Sequence, residues 1–129
     1  MPKQATVLGA TLPPDIRGLA ACYYALRKAD AAMLHIINAS CSDAAIAALD
    51  IWKEQLSVGA DSVAELLREL EPKSISDAEL QAQTLMDHEF RYDVSPQGIA
   101  AIALRYQRAA ARLGAMDSGA PNRPRLVAG

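Results

Sequence analysis

The side chains with metal-binding or nucleophilic potential in this chain are two histidines, His35 and His88, and two cysteines, Cys22 and Cys41, alongside fifteen carboxylates. A di-metal centre in a helical protein needs Glu-x-x-His pairs, because residues three and four apart share a helical face. His35 has Ala31, Ala32, Asn38 and Ala39 at those distances, and His88 has Thr84, Leu85, Arg91 and Tyr92. Neither histidine has a carboxylate where a helix would present one. Asp87-His88-Glu89 is dense in ligand types, but consecutive helical residues point about 100° apart. His88 therefore reads as a solvated surface residue, and no metal site is expected.

Nucleophilic chemistry has no better footing. Cys22 and Cys41 do not form Cys-x-x-Cys and sit in no papain-like or caspase-like context. There is no Gly-x-Ser-x-Gly, and the seven glycines are scattered rather than gathered into a phosphate-cradling loop. The pattern disfavours an enzyme and implies no cofactor. Two free thiols suit a reducing compartment. The N-terminal apolar run is too short and too weakly charged for a signal peptide, and the longest apolar stretch, 18–26, falls far short of the roughly 20 residues needed to span a bilayer. A cytoplasmic location and no membrane contact are the expectations.

The net charge of −2 exerts no strong pull on nucleic acid or membranes, yet it conceals a gradient. Residues 61–94 carry nine acids and three bases, whereas residues 95–129 carry five arginines and one acid. Such polarity suits mutual docking or a charged partner surface.

Helices must position these groups. Of the 129 residues, 26 are Ala and 15 Leu, against five Val, one Phe and one Trp, a composition that favours helix over sheet. The spacing predicts an all-α, compact, mostly antiparallel five-helix bundle over 15–114, with an extended arm over 1–14 and a flexible tail over 115–129. The first helix, capped by Asp15, runs from Ile16 to Ile37 with Ile16, Leu19, Tyr23, Leu26, Met33 and Ile37 along one seam. A second starts at a Ser42 cap, bears Ala45, Leu49, Trp52 and Leu56 on one stripe, and stops at Gly59. A third runs from Asp61 or Ser62 to Pro72, its inward face formed by Val63, Leu66, Leu67 and Leu70. A capping box at Ser76–Glu79 opens the fourth, with Ala78, Ala82, Leu85, Met86 and Phe90 inward. Ser95-Pro96 opens the fifth, which ends at Leu113 and presents Ile99, Ile102, Ala103, Tyr106, Ala110 and Leu113 to the core.

Asp30 occupies the empty step in the first seam. A slight rotation would set it at the helix edge beside Arg27 or Lys28, which is the expected arrangement. The sharper alternative buries it against a partner such as an arginine of the fifth helix, and a polar pocket there would suit a small ligand-binding or catalytic bundle. Two surface stripes stand out: Asp61, Glu65 and Glu69 on the third helix, and Arg105, Arg108 and Arg112 on the fifth. They could zip within the monomer or across a two-fold axis.

The fifth helix also has the turn and apolar spacing of a helix-turn-helix recognition unit, with its arginines placed for phosphates. Against a nucleic-acid partner, Glu89 stands where that motif needs a small residue, and Gln97 with the following alanines offers little to base edges. The alanines at 44, 45, 47, 48 and 109–111 predict close helix contacts and a modest core that gains from burial against another chain. Trp52 and the Tyr23-Tyr24 pair are the candidate aromatic anchors. A non-enzymatic interaction protein follows, a homo-oligomer or an adaptor, chaperone or inhibitor.

Overall fold

The computed structural model describes residues 5–39, 42–92 and 95–118, with side chains described as far as 115. Among these residues there are four helices rather than five: α1 (Ile16–Ala39), α2 (Asp43–Glu69), α3 (Ile75–Arg91) and α4 (Pro96–Ser118). Two short strands, β1 (Thr6–Val7) and β2 (Ala10–Thr11), precede them. The chain divides into two compact units, Met1–Leu70 and Glu71–Gly129.

Most starts are set by caps visible in the sequence. Asp15 Oδ1 accepts from the Gly18 N–H at 3.1 Å, Ser42 Oγ from Ala45 at 3.3 Å and Ser95 Oγ from Gly98 at 3.1 Å. The start of α3 differs: Ser74, not Ser76, is the cap, its Oγ accepting from the Asp77 N–H at 3.0 Å.

The second and third expected helices are one. Gly59 does not stop α2, and Ser62 is no cap: its hydroxyl donates to the Val58 carbonyl at 3.0 Å inside the continuing helix. A helix-interior glycine costs about 1 kcal/mol relative to alanine, and its use here is spatial. A Cβ on Gly59 would come within 3.1 Å of Val7 Cγ1 and 3.4 Å of Leu8 Cδ1, so glycine lets the N-terminal hairpin lie against α2. The segment expected as an extended arm thus folds back on itself, pairing Thr6 with Thr11 and Val7 with Ala10. Leu8 (φ 53°) and Gly9 (φ 80°) form its turn, the left-handed pair that suits a two-residue hairpin. Gly114 likewise lies within α4 instead of ending it. Residues 119–129 of the expected tail lie outside the described residues.

In the first unit α1 and α2 pack antiparallel. Ile16, Leu19, Ala20 and Tyr23 of α1 are buried, as are Ala60, Val63, Ala64 and Leu67 of α2; each large apolar side chain so buried contributes about 1.5–3 kcal/mol. Tyr23 and Tyr24 meet edge to face at 5.4 Å. In the second unit α3 and α4 also run antiparallel. Ala78 packs with Ala109, Leu113 and Tyr106, and Arg112 Nη2 donates to the Pro72 carbonyl at 2.9 Å. At the other end of that pair the Glu89 carboxylate lies against Gly98.

Several inward assignments change. On α3, Phe90 is exposed while Gln81, Thr84 and His88 are buried. On α4, Ala103 is exposed and Ala109 takes the buried place. Ala44 and Ala47 face solvent, and the closely packed alanines are Ala20, Ala60, Ala64 and Ala78, together with Ala109 from the expected 109–111 cluster.

Candidate functional site

Two rows of residues face each other in the first unit. Along α1 they are Ile16, Leu19, Tyr23, Leu26, Asp30, Met33 and Ile37; along α2 they are Ile46, Leu49, Lys53, Leu56, Ala60, Val63 and Leu67. Both repeat at alternating steps of three and four, the spacing that keeps one face of each helix turned to its partner. Each row breaks its apolar pattern once, and the two breaks meet. Lys53 Nζ lies 2.9 Å from Asp30 Oδ1. Arg27 Nη2 stands 3.4 Å from Asp30 Oδ2, too long for a strong charge-assisted hydrogen bond, which makes Lys53 the principal partner.

Asp30 is only 2% exposed, so it does not sit at a solvated helix edge. Its partners are Arg27, one turn earlier, and a lysine from α2; neither is an arginine of the last helix. The energetic consequence is asymmetric. A buried pair adds little net stability over a well-packed apolar pair, but removing one member strands the other's charge. What the pair does supply is register, because a one-turn slip of α1 along α2 would set Asp30 and Lys53 against hydrocarbon.

The outward side of α2 bears a second row, Ala48, Ile51, Gln55 and Val58, at the same three–four spacing. Ile51 is 60% exposed and Val58 52%, with Trp52 beside them at 54%. Trp52 therefore does not share the inward stripe of Leu49 and Leu56, both of which are half-buried. Leu8 of the hairpin is exposed next to this row and lines a shallow depression with Gln55, Val58 and Ser62. By helical geometry, Asp43, Asp50, Glu54, Asp61 and Glu65 fall within one arc of about 60° along an edge of α2, between its inner and outer rows.

In the second unit, Arg105, Arg108 and Arg112 occupy one edge of α4. Arg105 is half-buried, Arg108 is exposed, and Arg112 is tied to Pro72. On the opposite side an open apolar groove of about 670 Å³ runs between the helices, lined by Ala82 and Met86 of α3 and by Ala100, Ala103 and Leu104 of α4. Because α3 and α4 stay antiparallel along their length, they lack the 90–120° crossing that presents a recognition helix to DNA. The small residue at their close approach is Gly98, which makes room for Glu89. His88 is 8% exposed and stacks edge to face on Tyr92 at 5.4 Å, so it is packed rather than solvated.

No protein-family model, curated protein or solved structure matches this chain. Its function therefore has to be argued from these surfaces. Among the described residues no group of three or more His, Cys, Asp or Glu is placed to hold a metal ion, and no helix is long and apolar enough to cross a membrane. Cys22 is a half-buried free thiol, and Cys41 lies outside the described residues.

Of the expected acidic stripe, Glu65 and Glu69 are exposed and Asp61 half-buried, and Glu65 Oε1 lies 3.4 Å from Arg68 Nη1 in the same helix. Sequence reasoning missed Lys53, Ile51 and Val58. Reading 43–69 as one helix would have exposed all three, since Lys53 interrupts the inner row as Asp30 does in α1, and Ile51 and Val58 sit seven residues apart on the other face.

Proposed function

We propose that the protein is a non-enzymatic helical interaction module that associates with itself through the outward face of α2. The observation that carries this reading is the exposure of Ile51 and Val58 on successive turns of the outward face of α2, with Trp52 exposed on its flank. Single exposed apolar residues are ordinary, whereas a contiguous patch that includes a tryptophan has the composition of an interface core. The buried residues support the same reading, since among the described residues alanines supply five of the thirteen buried apolar ones, and a modest core gains from burial against a second chain. The acidic edge beside the patch favours a protein surface over a polyanion as its partner.

Light scattering of the full chain along a dilution series tests this directly. The expected outcome is a mass that rises above 13.8 kDa with concentration. A mass fixed at the monomer value throughout contradicts it.

A further inference from the structure

We infer that the occupant of the α2 outward face is helix α4 of a second copy, lying parallel to it. This rests on the self-association proposed above and names the surface that completes it.

Charge decides between the available surfaces of a second copy. An antiparallel α2 pair around a two-fold axis would bring the two acidic edges together, a costly like-charge contact, and a parallel α2 pair would set each acidic edge opposite Ala45, Trp52 and Gly59, which offer it no cation. The second copy's α4 offers the opposite sign. Its outward row, Ala100, Leu104, Gln107 and Ala111, is edged by Arg105, Arg108 and Arg112.

The hand of the two edges then fixes direction. Viewed from N- to C-terminus, the acidic edge lies counter-clockwise of the α2 outward row, and the arginine edge lies clockwise of the α4 outward row. Two facing helices with edges of opposite hand bring them together only when they run parallel, as flanking charges do in parallel coiled coils.

Shape agrees with charge. Ile51 and Val58 project large side chains from the outward face, with Trp52 on its flank, and α4 borders a groove lined by Ala82, Met86, Ala100 and Ala103, with Leu104 and Tyr106 beside them. Matching Ile51 to Leu104 sets Glu54 level with Arg108, and both are exposed and outside any ion pair among the described residues.

Charge reversal in the full chain tests the pairing. Glu54→Arg and Arg108→Glu are each expected to weaken self-association about tenfold at low salt. An equimolar mixture of the two variants is expected to associate within about threefold of wild type, because α2 of the Glu54→Arg chain meets the opposite charge on α4 of the Arg108→Glu chain. Circular dichroism of each variant checks that its helix content is retained. Rescue in the mixture supports the inference. Two reversals that associate like wild type, or a mixture no better than its components, overturn the α2–α4 pairing while leaving self-association standing. A wild-type chain that never associates overturns both.

Discussion

Helix α2 carries two apolar rows on opposite faces, and they have opposite fates. The inner row, from Ile46 to Leu67, is covered by α1 and ends in side chains with no exposure at all. The outer row, from Ala48 to Val58, has the same three–four spacing, but Ile51, Gln55 and Val58 are exposed, and only the hairpin lies beside its C-terminal end. The rows also differ in how they treat charge. The inner one holds Lys53 against the buried Asp30, whereas the outer one keeps its interior neutral, with Gln55, and places acids along one edge. The covered face holds a buried ion pair suited to fixing register, and in the pairing proposed above the acidic edge of the outer face would select what covers it.

The largest expected effect lies on the inner row. Lys53→Ala removes the 2.9 Å ion pair of the buried Asp30, and unfolding stability should fall by about 3 kcal/mol, near the low end for breaking a buried pair because the lysine keeps some access to water and Arg27 stays at 3.4 Å. Replacing both members, Asp30→Leu with Lys53→Leu, should recover most of that loss, the remainder reflecting Arg27, which no longer faces a carboxylate. Urea titration followed by the fluorescence of Trp52, the chain's single tryptophan, reads this unit. A double variant as unstable as the single one would show that the pair's worth is not the avoided cost of a stranded charge.

Next come two valines of one helix. Val63 is fully buried on the inner side and Val58 is half exposed on the outer. Truncating Val63 to alanine should cost about 2 kcal/mol, while the same change at Val58 should stay within about 0.5 kcal/mol. Equal losses in thermal denaturation would erase the distinction between the rows.

The smallest effect belongs to Gly59→Ala. About 1 kcal/mol of helix propensity is set against a Cβ that presses on Val7 at 3.1 Å. The hairpin can yield by a few tenths of an ångström, so a net change below about 1 kcal/mol is expected by calorimetry.

The elements whose determinants are local were legible in the sequence. Asp15, Ser42 and Ser95 each cap the helix they were expected to cap, and the apolar spacing of α1 placed Asp30 on its seam. The misreadings came from residues whose role is set by a neighbour distant in the chain. Gly59 carries the composition of a stop signal, yet Val7 and Leu8 explain it. A helix cut there hides the inner row that runs through Lys53 to Leu67, and a stripe of Ala45, Leu49, Trp52 and Leu56 puts Trp52 inward. His88 went astray for the same reason, because its burial depends on packing that no local pattern encodes. Periodicity located both faces of α2 in principle, but only tertiary structure shows which one is covered.

Sedimentation velocity on Ile51→Ser/Val58→Ser, run beside wild type from about 1 µM to about 500 µM, tests the outward face of α2 most directly. The account predicts a wild-type sedimentation coefficient that climbs with concentration and a double variant that remains monomeric with unchanged helix content. A double variant that associates as wild type does would contradict it.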